Sequence, residues 1–238
     1  MKKKIVFFGS ISLAKKCLVF LLKNLEEYDF IIVTEKNYNK KDEVYCFCKK
    51  NKIQIKSLPQ IMQSTEDYEY GFSIRFNKIL KKKIIQKFNK GIINMHGGPL
   101  PQYKGTANHI HAIINNEKMF GVTLHYINEK IDSGDILKLK KFPITKDDTG
   151  YSLLNKTFTH GYKLFVRLIK DIKLNKEIKS YKQALNLGKT YKMKDLKKYD
   201  NVKIKKLSKN KIINLIRAFY HPEKKLFGFT NDHHKLIK

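Results

Sequence analysis

Short apolar runs that alternate with helical segments are the feature that most restricts how this chain can fold. Five runs have the length and composition of buried strands: residues 3–8, 30–33, 53–55, 70–74 and 91–95. Three segments between them carry apolar residues at helical spacing: residues 11–22, 41–50 and 79–88. Strands separated by helices predict an α/β fold, in which a mostly parallel sheet is covered by helices on both faces.

The second half of the chain predicts fewer strands and longer helices. The elements are a helix over 106–115, strands over 121–127 and 136–142 that pair as a hairpin, a long helix from Asp148 to about Leu174, and a helix over 212–219. Residues 181–198 show no regular pattern. Because the composition becomes more polar after the long helix, we predict a main domain over 1–200 and a small C-terminal subdomain over 201–238.

The net charge of +29 normally indicates an anionic partner. Only three of the 50 basic residues are arginine, and the 47 lysines are spread along the whole chain. Phosphate recognition usually enlists arginine too, and a coding bias toward A/T-rich codons would give the same composition, so nucleic acid is not the favoured partner. An anionic small substrate would benefit from this field. A basic RNA-binding module with an inactive site stays open as a non-enzymatic alternative.

The apolar content of 42% supports a packed core, and no apolar run approaches the roughly 18 residues of a membrane span. The apolar run near the N-terminus is too short for a signal peptide and lacks a small-residue cleavage site. We therefore expect a buried strand there, and a cytoplasmic protein without a membrane partner. The cysteines, Cys17, Cys46 and Cys48, form no CxxC pair, which argues against structural disulfides and a zinc site.

The first strand-to-helix turn, Gly9-Ser10, contains a single glycine, so the GxGxxG pattern of dinucleotide-binding folds is absent. Neither NAD nor FAD is expected. Backbone amides at this helix start can receive a phosphate, or the turn can be purely structural, and both interpretations stay open.

The segment NMHGGPLPQYKG, residues 94–105, follows a predicted buried strand and differs from its lysine-rich surroundings. Asn94 and His96 lie at the carboxyl end of that strand, where parallel sheets collect their ligands. A second polar segment, Asp132-Ser133-Gly134, is a good turn between the two hairpin strands. Together an amide, an imidazole and a carboxylate suit an acyl transfer. The amide and the imidazole can stabilise an oxyanion, the imidazole can move a proton, and the carboxylate can orient the imidazole.

Four motifs in this chain resemble those of the folate-dependent formyltransferases: Asn94-Met95-His96, Leu100-Pro101 with 103–105, 121–125, and 131–134. Weaker similarity extends from residue 4 to about residue 175. The resemblance implies a Rossmann-like formyltransferase fold and an enzyme that moves a formyl group from N10-formyltetrahydrofolate to an amine. It also implies that Asn94, His96 and Asp132 are the catalytic set.

The same resemblance implies two binding regions, and the remaining histidines suggest no metal-binding set. The folate is expected against the backbone of the helix start after strand 70–74 and of the loop before Asp132: Lys78, Ile79, Leu80, Asn128, Glu129, Lys130 and Ile131. The amine substrate is expected near the first turn and the glycine-rich loop: Gly9, Ser10, Gly97, Gly98, Tyr103, Lys104, Gly105 and Asn108.

Two positions depart from the common pattern of that family. Many relatives have Pro-Ser after the histidine, whereas this chain has Gly97-Gly98, which we expect to permit positive φ and the close approach of a ligand. Lys104 stands where arginine is common, and lysine lacks the bidentate geometry of arginine. His125 is expected to pack or to form a hydrogen bond rather than to catalyse.

The sister groups of this family differ in their amine substrate and in their C-terminal part. A core with a short tail resembles the sugar N-formyltransferases, which act on a 3- or 4-amino group of nucleotide-linked sugars and whose tail commonly pairs two subunits. The resemblance thus implies a nucleotide-linked amino sugar, most often a dTDP sugar, in surface glycan (O-antigen type) biosynthesis, and a homodimer. Methionyl-tRNA formyltransferases, with a C-terminal β-barrel that the residues after 200 are too few to form, and glycinamide ribonucleotide formyltransferases are the alternatives.

Overall fold

The computed structural model describes residues 2–34, 42–184, 186–200, 202 and 206–222. Residues 223–238, and with them much of the predicted C-terminal subdomain, lie outside the described residues. The strands are β1 (Lys4–Gly9), β2 (Asp29–Val33), β3 (Tyr70–Ile74), β4 (Ile92–His96), β5 (Tyr103–Gly105), β6 (Met119–Tyr126), β7 (Ile136–Pro143) and β8 (Lys189–Tyr191). The helices are α1 (Ile11–Asn24), α2 (Glu43–Lys50), α3 (Leu58–Gln63), α4 (Lys82–Ile85), α5 (Asn108–Ile114), α6 (Gly150–Lys173) and α7 (Lys209–Phe219), with a 3₁₀ helix over Met193–Tyr199.

Six of the strands form one sheet, in the order β2-β1-β3-β4-β6-β7. Neighbouring strands from β2 to β4 are parallel, whereas β6 runs antiparallel to both β4 and β7. Five of the six strands therefore point the same way, which confirms the predicted mostly parallel α/β sheet. The remaining two strands, β5 and β8, form a small parallel sheet of their own.

Apolar side chains cover both faces of the large sheet, because successive strand residues point to opposite faces. In β1, Ile5 and Phe7 pack into a core shared with α1, α5 and α6. Val6 and Phe8 pack into a second core on the other face, shared with α3 and α4. The prediction of helices on both faces is confirmed, and burial of these side chains stabilises the fold by about 25 cal/mol per Å² of apolar surface.

Two predicted elements are shorter in the structure than in the sequence interpretation. The helix predicted over 79–88 was wrong in extent, because only α4 is helical and Phe88 forms a parallel bridge with Tyr68. The strand predicted over 53–55 is a single bridge between Ile55 and β2. In both cases a tertiary contact, rather than local propensity, decides where the element ends.

Other elements escaped the sequence interpretation. Helix α3 begins with a capping box, in which the Ser57 hydroxyl accepts from the Gln60 N–H and the Gln60 side chain accepts from the Ser57 N–H. This serine-to-glutamine spacing is a known start signal and could have predicted the helix. Residues 181–198, predicted to be irregular, contain β8 and most of the 3₁₀ helix. Strand β8 pairs with the distant β5, so no local pattern indicates it.

The register of β4 brings polar residues of three strands together. Asn94 pairs with Ser73 of β3 on one side and with His125 of β6 on the other. His96 pairs with Thr123, and a β-bulge in the pairing of β6 with β7 lies just before His125. The loop that contains Asp132 follows β6, so the sheet itself sets the starting points of all three predicted catalytic residues.

Helix α7 packs against α5 and α6. Arg217 adds two hydrogen bonds of 2.8 Å, from its Nε to the Asp148 carbonyl and from its Nη2 to the Thr145 carbonyl. The proposed boundary near residue 200 stays a prediction.

None of the helices in the described part of the chain is both long enough and apolar enough to cross a membrane.

The contact between α6 and α7 generates a stability prediction. Gly150→Ala should lower the free energy of unfolding by about 1–3 kcal/mol, because an added Cβ would lie 2.1 Å from the backbone oxygen of Ala218. Gly161→Ala is the matched control in the same helix. Its Cβ would first meet the flexible Met95 Sδ at 2.7 Å, and the gain in helix propensity offsets part of that cost. Urea unfolding measures both variants, and equal losses would contradict rigid packing of α7 on α6.

Candidate active site

A cavity of about 570 Å³ opens at the carboxyl ends of β3 and β4. Asn94, His96 and Asp132 all line it, so the structure brings the three predicted catalytic residues together. Residues 75–80 and 127–132 form one part of the wall. The start of α5 and a stretch of α6 form another part. The volume lies in the range of about 300–1,000 Å³ that is typical of small-molecule sites.

The Asp132 carboxylate is largely buried and lies beside His96. Its Oδ2 is 3.4 Å from His96 Nδ1, and the Gly105 N–H donates to the same oxygen at 2.7 Å. The backbone of Asp132 has a φ of 48°, a left-handed conformation that residues other than glycine rarely adopt. Backbone strain of this kind clusters at functional sites, where the surrounding structure imposes it.

The His96 ring has a fixed orientation and tautomer. Its Nε2 lies 2.6 Å from the Tyr103 carbonyl, which can only accept, so this nitrogen carries the hydrogen. The Asn108 amide also lies close to Nε2, but its hydrogens are directed to the carbonyls of Tyr103 and Gly105, each 3.2 Å away. The Nδ1 atom, which faces Asp132, is therefore the basic nitrogen of the neutral ring.

His125 connects Asn94 with Asp132. Its Nδ1 donates to the Tyr126 carbonyl at 2.7 Å, while its Nε2 lies 3.1 Å from the Asn94 amide nitrogen and 3.6 Å from Asp132 Oδ1. This contact directs one N–H of the Asn94 amide to His125 Nε2. The second N–H of the same amide is left to donate to another group. His125 was expected to pack or to form a hydrogen bond, and the structure places it in hydrogen-bonding contact.

The protonation of the central pair follows from its surroundings. Burial lowers the pKa of His96 below its ordinary value, and the negative charge of Asp132 opposes this effect. Burial raises the pKa of Asp132, but the nearby His96 and His125 and the Gly105 amide lower it to about 2. At neutral pH the site therefore holds an ionised carboxylate beside a neutral imidazole.

All seven residues predicted to bind folate line the same cavity. Residues 78–80 lie in the loop before α4 rather than at a helix start. Ile79 and Ile131 are 69% and 52% exposed, an unusual situation for isoleucine, and both contribute to the cavity wall. Exposed apolar side chains in a concave site offer contact surface to an aromatic ligand.

The residues predicted to bind the amine substrate divide into two groups. Gly97, Gly105 and Asn108 line the cavity. The others do not line it: Gly9, Ser10, Gly98, Tyr103 and Lys104. Their substrate contacts stay predictions, and two of them instead support His96, since the Tyr103 carbonyl accepts from its ring and Gly98 packs against it.

Gly97 and Gly98 do not adopt the positive φ that glycine permits. Among the described residues, the glycines with positive φ are Gly91, Gly105 and Gly188. Gly98 is required for a different reason, because a Cβ there would lie 2.7 Å from the Tyr103 carbonyl oxygen and 2.9 Å from His96 Nε2. The close approach that the glycine permits is made by His96 of the chain itself rather than by a ligand.

Several cavity residues were not singled out in the sequence. Arg75 follows β3 directly and has a φ of 55°, and its guanidinium lies 5.4 Å from the ring centroid of Phe158 on α6. Its position after a parallel strand could have identified it, whereas Phe158 has no local signal that could. His109, for which the sequence left a substrate-facing and a solvent-exposed position equally open, lines the wall as well, and burial, with Arg75 and His111, lowers its pKa to about 4. Within the described residues, no three His, Cys, Asp or Glu side chains are grouped as metal ligands.

Comparison with known proteins gives several strong similarities. The family model described as formyl transferase matches residues 4–169. A methionyl-tRNA formyltransferase of Thermodesulfovibrio yellowstonii is 31% identical, over 100% of this chain and 80% of that protein. The structure of WlaRD, a sugar 3N-formyl transferase in the presence of dTDP and 5-N-formyl-THF, is 31% identical with a TM-score of 0.84, over 98% of this chain and 84% of that one.

A further structure is the N-formyltransferase from Helicobacter canadensis in complex with folinic acid and dTDP-3-aminofucose. It is 29% identical with a TM-score of 0.81, over 95% of this chain and 83% of that one. These matches, and the family model above all, show that the chain belongs to the formyl transferase family. It is a folate-dependent formyltransferase, and the resemblance noted in the sequence is confirmed.

The packing of Gly98 against His96 generates a prediction for activity. Gly98→Ala should lower kcat on the order of 10²-fold, because the new Cβ must displace the imidazole or the Tyr103 carbonyl. Gly97→Ala should lose much less, since its Cβ would approach only Thr157 Cγ2, at 3.7 Å. Steady-state kinetics on both variants, with circular dichroism to confirm folding, measures the difference. Wild-type kcat in Gly98→Ala would contradict this interpretation.

Proposed function

We propose that this chain is a sugar N-formyltransferase. It transfers the formyl group of N10-formyltetrahydrofolate to the 3- or 4-amino group of a nucleotide-linked, dTDP-type amino sugar, for surface glycan (O-antigen type) biosynthesis. The observation that carries the proposal is the similarity to the sugar 3N-formyl transferase WlaRD, which extends over 98% of the chain at a TM-score of 0.84. The Helicobacter canadensis enzyme, with dTDP-3-aminofucose bound, supports the same substrate class.

The cavity wall fits a folate on one side. Residues 78–80 and 128–131 offer backbone groups for the pterin, and the exposed Ile79 and Ile131 offer apolar contact for its aromatic parts. When bound, the folate supplies the formyl carbon that an amine can attack. Asn94, His96 and Asp132 line the same cavity, so the formyl carbon of a bound folate would lie within reach of them.

The charge of the wall suits an anionic acceptor. Four cationic side chains line the cavity: Arg75, Lys78, Lys130 and Lys192. Two carboxylates lie among them, Asp132 and Glu129, and Glu129 forms an ion pair of 3.2 Å with Lys82. A diphosphate would therefore enter a positive field, which raises its local concentration and its rate of association.

The proposed chemistry follows from the positions of three side chains. A neutral amine of the sugar attacks the formyl carbon, and negative charge develops on the formyl oxygen. The second amide hydrogen of Asn94, whose orientation His125 fixes, donates to that oxygen. His96 Nδ1 accepts the proton that the amine loses, directly or through a water molecule, and Asp132 stabilises the imidazolium at 3.4 Å. The same proton can then pass to the folate nitrogen that leaves.

A methionyl-tRNA acceptor is the second candidate, because the Thermodesulfovibrio yellowstonii methionyl-tRNA formyltransferase matches the chain over its whole length at 31% identity. The net charge of +29 would also favour a tRNA. The two candidates share the donor site and the chemistry and differ only in the acceptor.

A mass-spectrometric acceptor panel separates the candidates. The purified protein and N10-formyltetrahydrofolate are incubated with dTDP-, UDP- and GDP-linked 3- and 4-amino sugars, with glycinamide ribonucleotide and with methionyl-tRNA. We expect a dTDP-linked sugar to gain one formyl group, and the His96→Ala protein is the matched control. Formylation of the tRNA or of the ribonucleotide alone would overturn the sugar assignment. Salt-dependent RNA binding without folate binding would favour the non-enzymatic alternative.

The acid side of the pH profile tests the roles of His96 and Asp132. His96 must be neutral to accept a proton, so kcat/KM should fall as the pH drops through its pKa, which burial lowers. The charge of Asp132 raises that pKa, so Asp132→Asn should move the acid limb to lower pH while kcat falls. The same acceptor is used for both proteins, which removes the titration of the substrate from the comparison. An acid limb that stays in place or moves to higher pH would contradict these roles.

A homodimer and a cytoplasmic location also belong to this proposal. Light scattering of the purified protein tests the first, and fractionation of the cells that make it tests the second. A monomer at micromolar concentration would refute the proposed dimer and would leave the proposed chemistry of the cavity unchanged.

A further inference from the structure

The chain that follows α6 returns to the catalytic loop, residues 127–135, which contains Asp132. Tyr181 and Ile136 exchange two backbone hydrogen bonds of 2.9 and 3.0 Å, which places this segment beside the first residue of β7. Gln183 lies two residues further on and is only 8% exposed. It lies outside residues 4–169, the part of the chain that the family model matches.

The Gln183 amide donates to the catalytic loop twice. Its Nε2 lies 3.1 Å from the Asp132 carbonyl oxygen and 2.6 Å from the Gly134 carbonyl oxygen. Its Oε1 is buried and accepts no hydrogen bond from any described residue. A buried amide oxygen without a partner costs free energy. The favourable contribution of Gln183 therefore comes from the two hydrogen bonds that it donates.

The loop needs such a contact because its conformation is unfavourable on its own. The backbone of Asp132 has a left-handed φ of 48°, a conformation that costs free energy for a residue other than glycine. At its other end the Asp132 side chain is held by the Gly105 N–H. Gln183 on the backbone and Gly105 on the carboxylate thus fix Asp132 at two points.

We infer that Gln183 is a positioning residue for catalysis, which holds Asp132 so that its carboxylate faces Nδ1 of His96. The inference rests on the catalytic roles proposed for these two residues. Gln183 touches neither reacting group itself and acts through the backbone of Asp132.

A double-mutant cycle tests the inference. Gln183→Met keeps the length of the side chain and removes both donors, so kcat should fall on the order of 10-fold or more while the KM for folate changes little. In the Asp132→Asn background the same change should cost much less, because the carboxylate that it positions is gone. Equal losses in both backgrounds would show a structural contribution alone and overturn the inference. Gln63→Met, at the exposed end of α3, is the matched control and should leave kcat unchanged.

A spectroscopic readout needs no acceptor and so separates this inference from the proposed function. In NMR titrations of the uncomplexed protein, Gln183→Met should shift the titration of the His96 ring to lower pH, since a displaced carboxylate no longer favours the imidazolium. An unchanged titration in the folded variant would overturn the inference. If Gln183→Met does not fold, Gln183→Asn, which keeps the amide on a shorter stem, serves in both experiments with the same expected directions.

Discussion

The buried charge of Asp132 is the constraint on which the arrangement of the site depends. A carboxylate that leaves water must be compensated by hydrogen bonds and opposite partial charges, or it would take up a proton. The Gly105 N–H supplies a hydrogen bond to this carboxylate, and the rings of His96 and His125 lie 3.4 and 3.6 Å from its oxygens. Strands β5, β4 and β6 therefore converge on one side chain, and the cavity forms where they meet.

The sheet explains how this convergence is possible. Its parallel strands end at one edge, so Asn94 and His96 open into the same space as the segment after β3. The antiparallel β6 then brings His125 alongside Asn94 and leads into the loop of Asp132. Strand β6, which is antiparallel to its neighbours, thus adds His125 and Asp132 to the edge at which β4 already places Asn94 and His96.

The sequence predicted the parts of this arrangement that depend on local pattern. The strands of the parallel sheet, the long helix α6 and the residues Asn94, His96 and Asp132 all carry signals within a few positions of themselves. Contacts between distant segments could not be predicted in that way. The pairing of β5 with β8 and the bonds from Gln183 to the loop of Asp132 join residues that lie far apart in the chain. The requirement for glycine at position 98 also depends on a tertiary contact. It comes from the packing of His96 and not from the backbone conformation of the glycine.

A crystal structure of the protein with 5-formyltetrahydrofolate, a stable analogue of the donor, would show directly whether the cavity of Asn94, His96 and Asp132 holds the folate. We expect the pterin against residues 78–80 and 128–131, with N10, the nitrogen that carries the formyl group in the donor, facing Asn94 and His96. A folate bound elsewhere, for example in the surface groove beside Lys15 and Lys16, or an N10 that faces away from His96, would contradict this expectation.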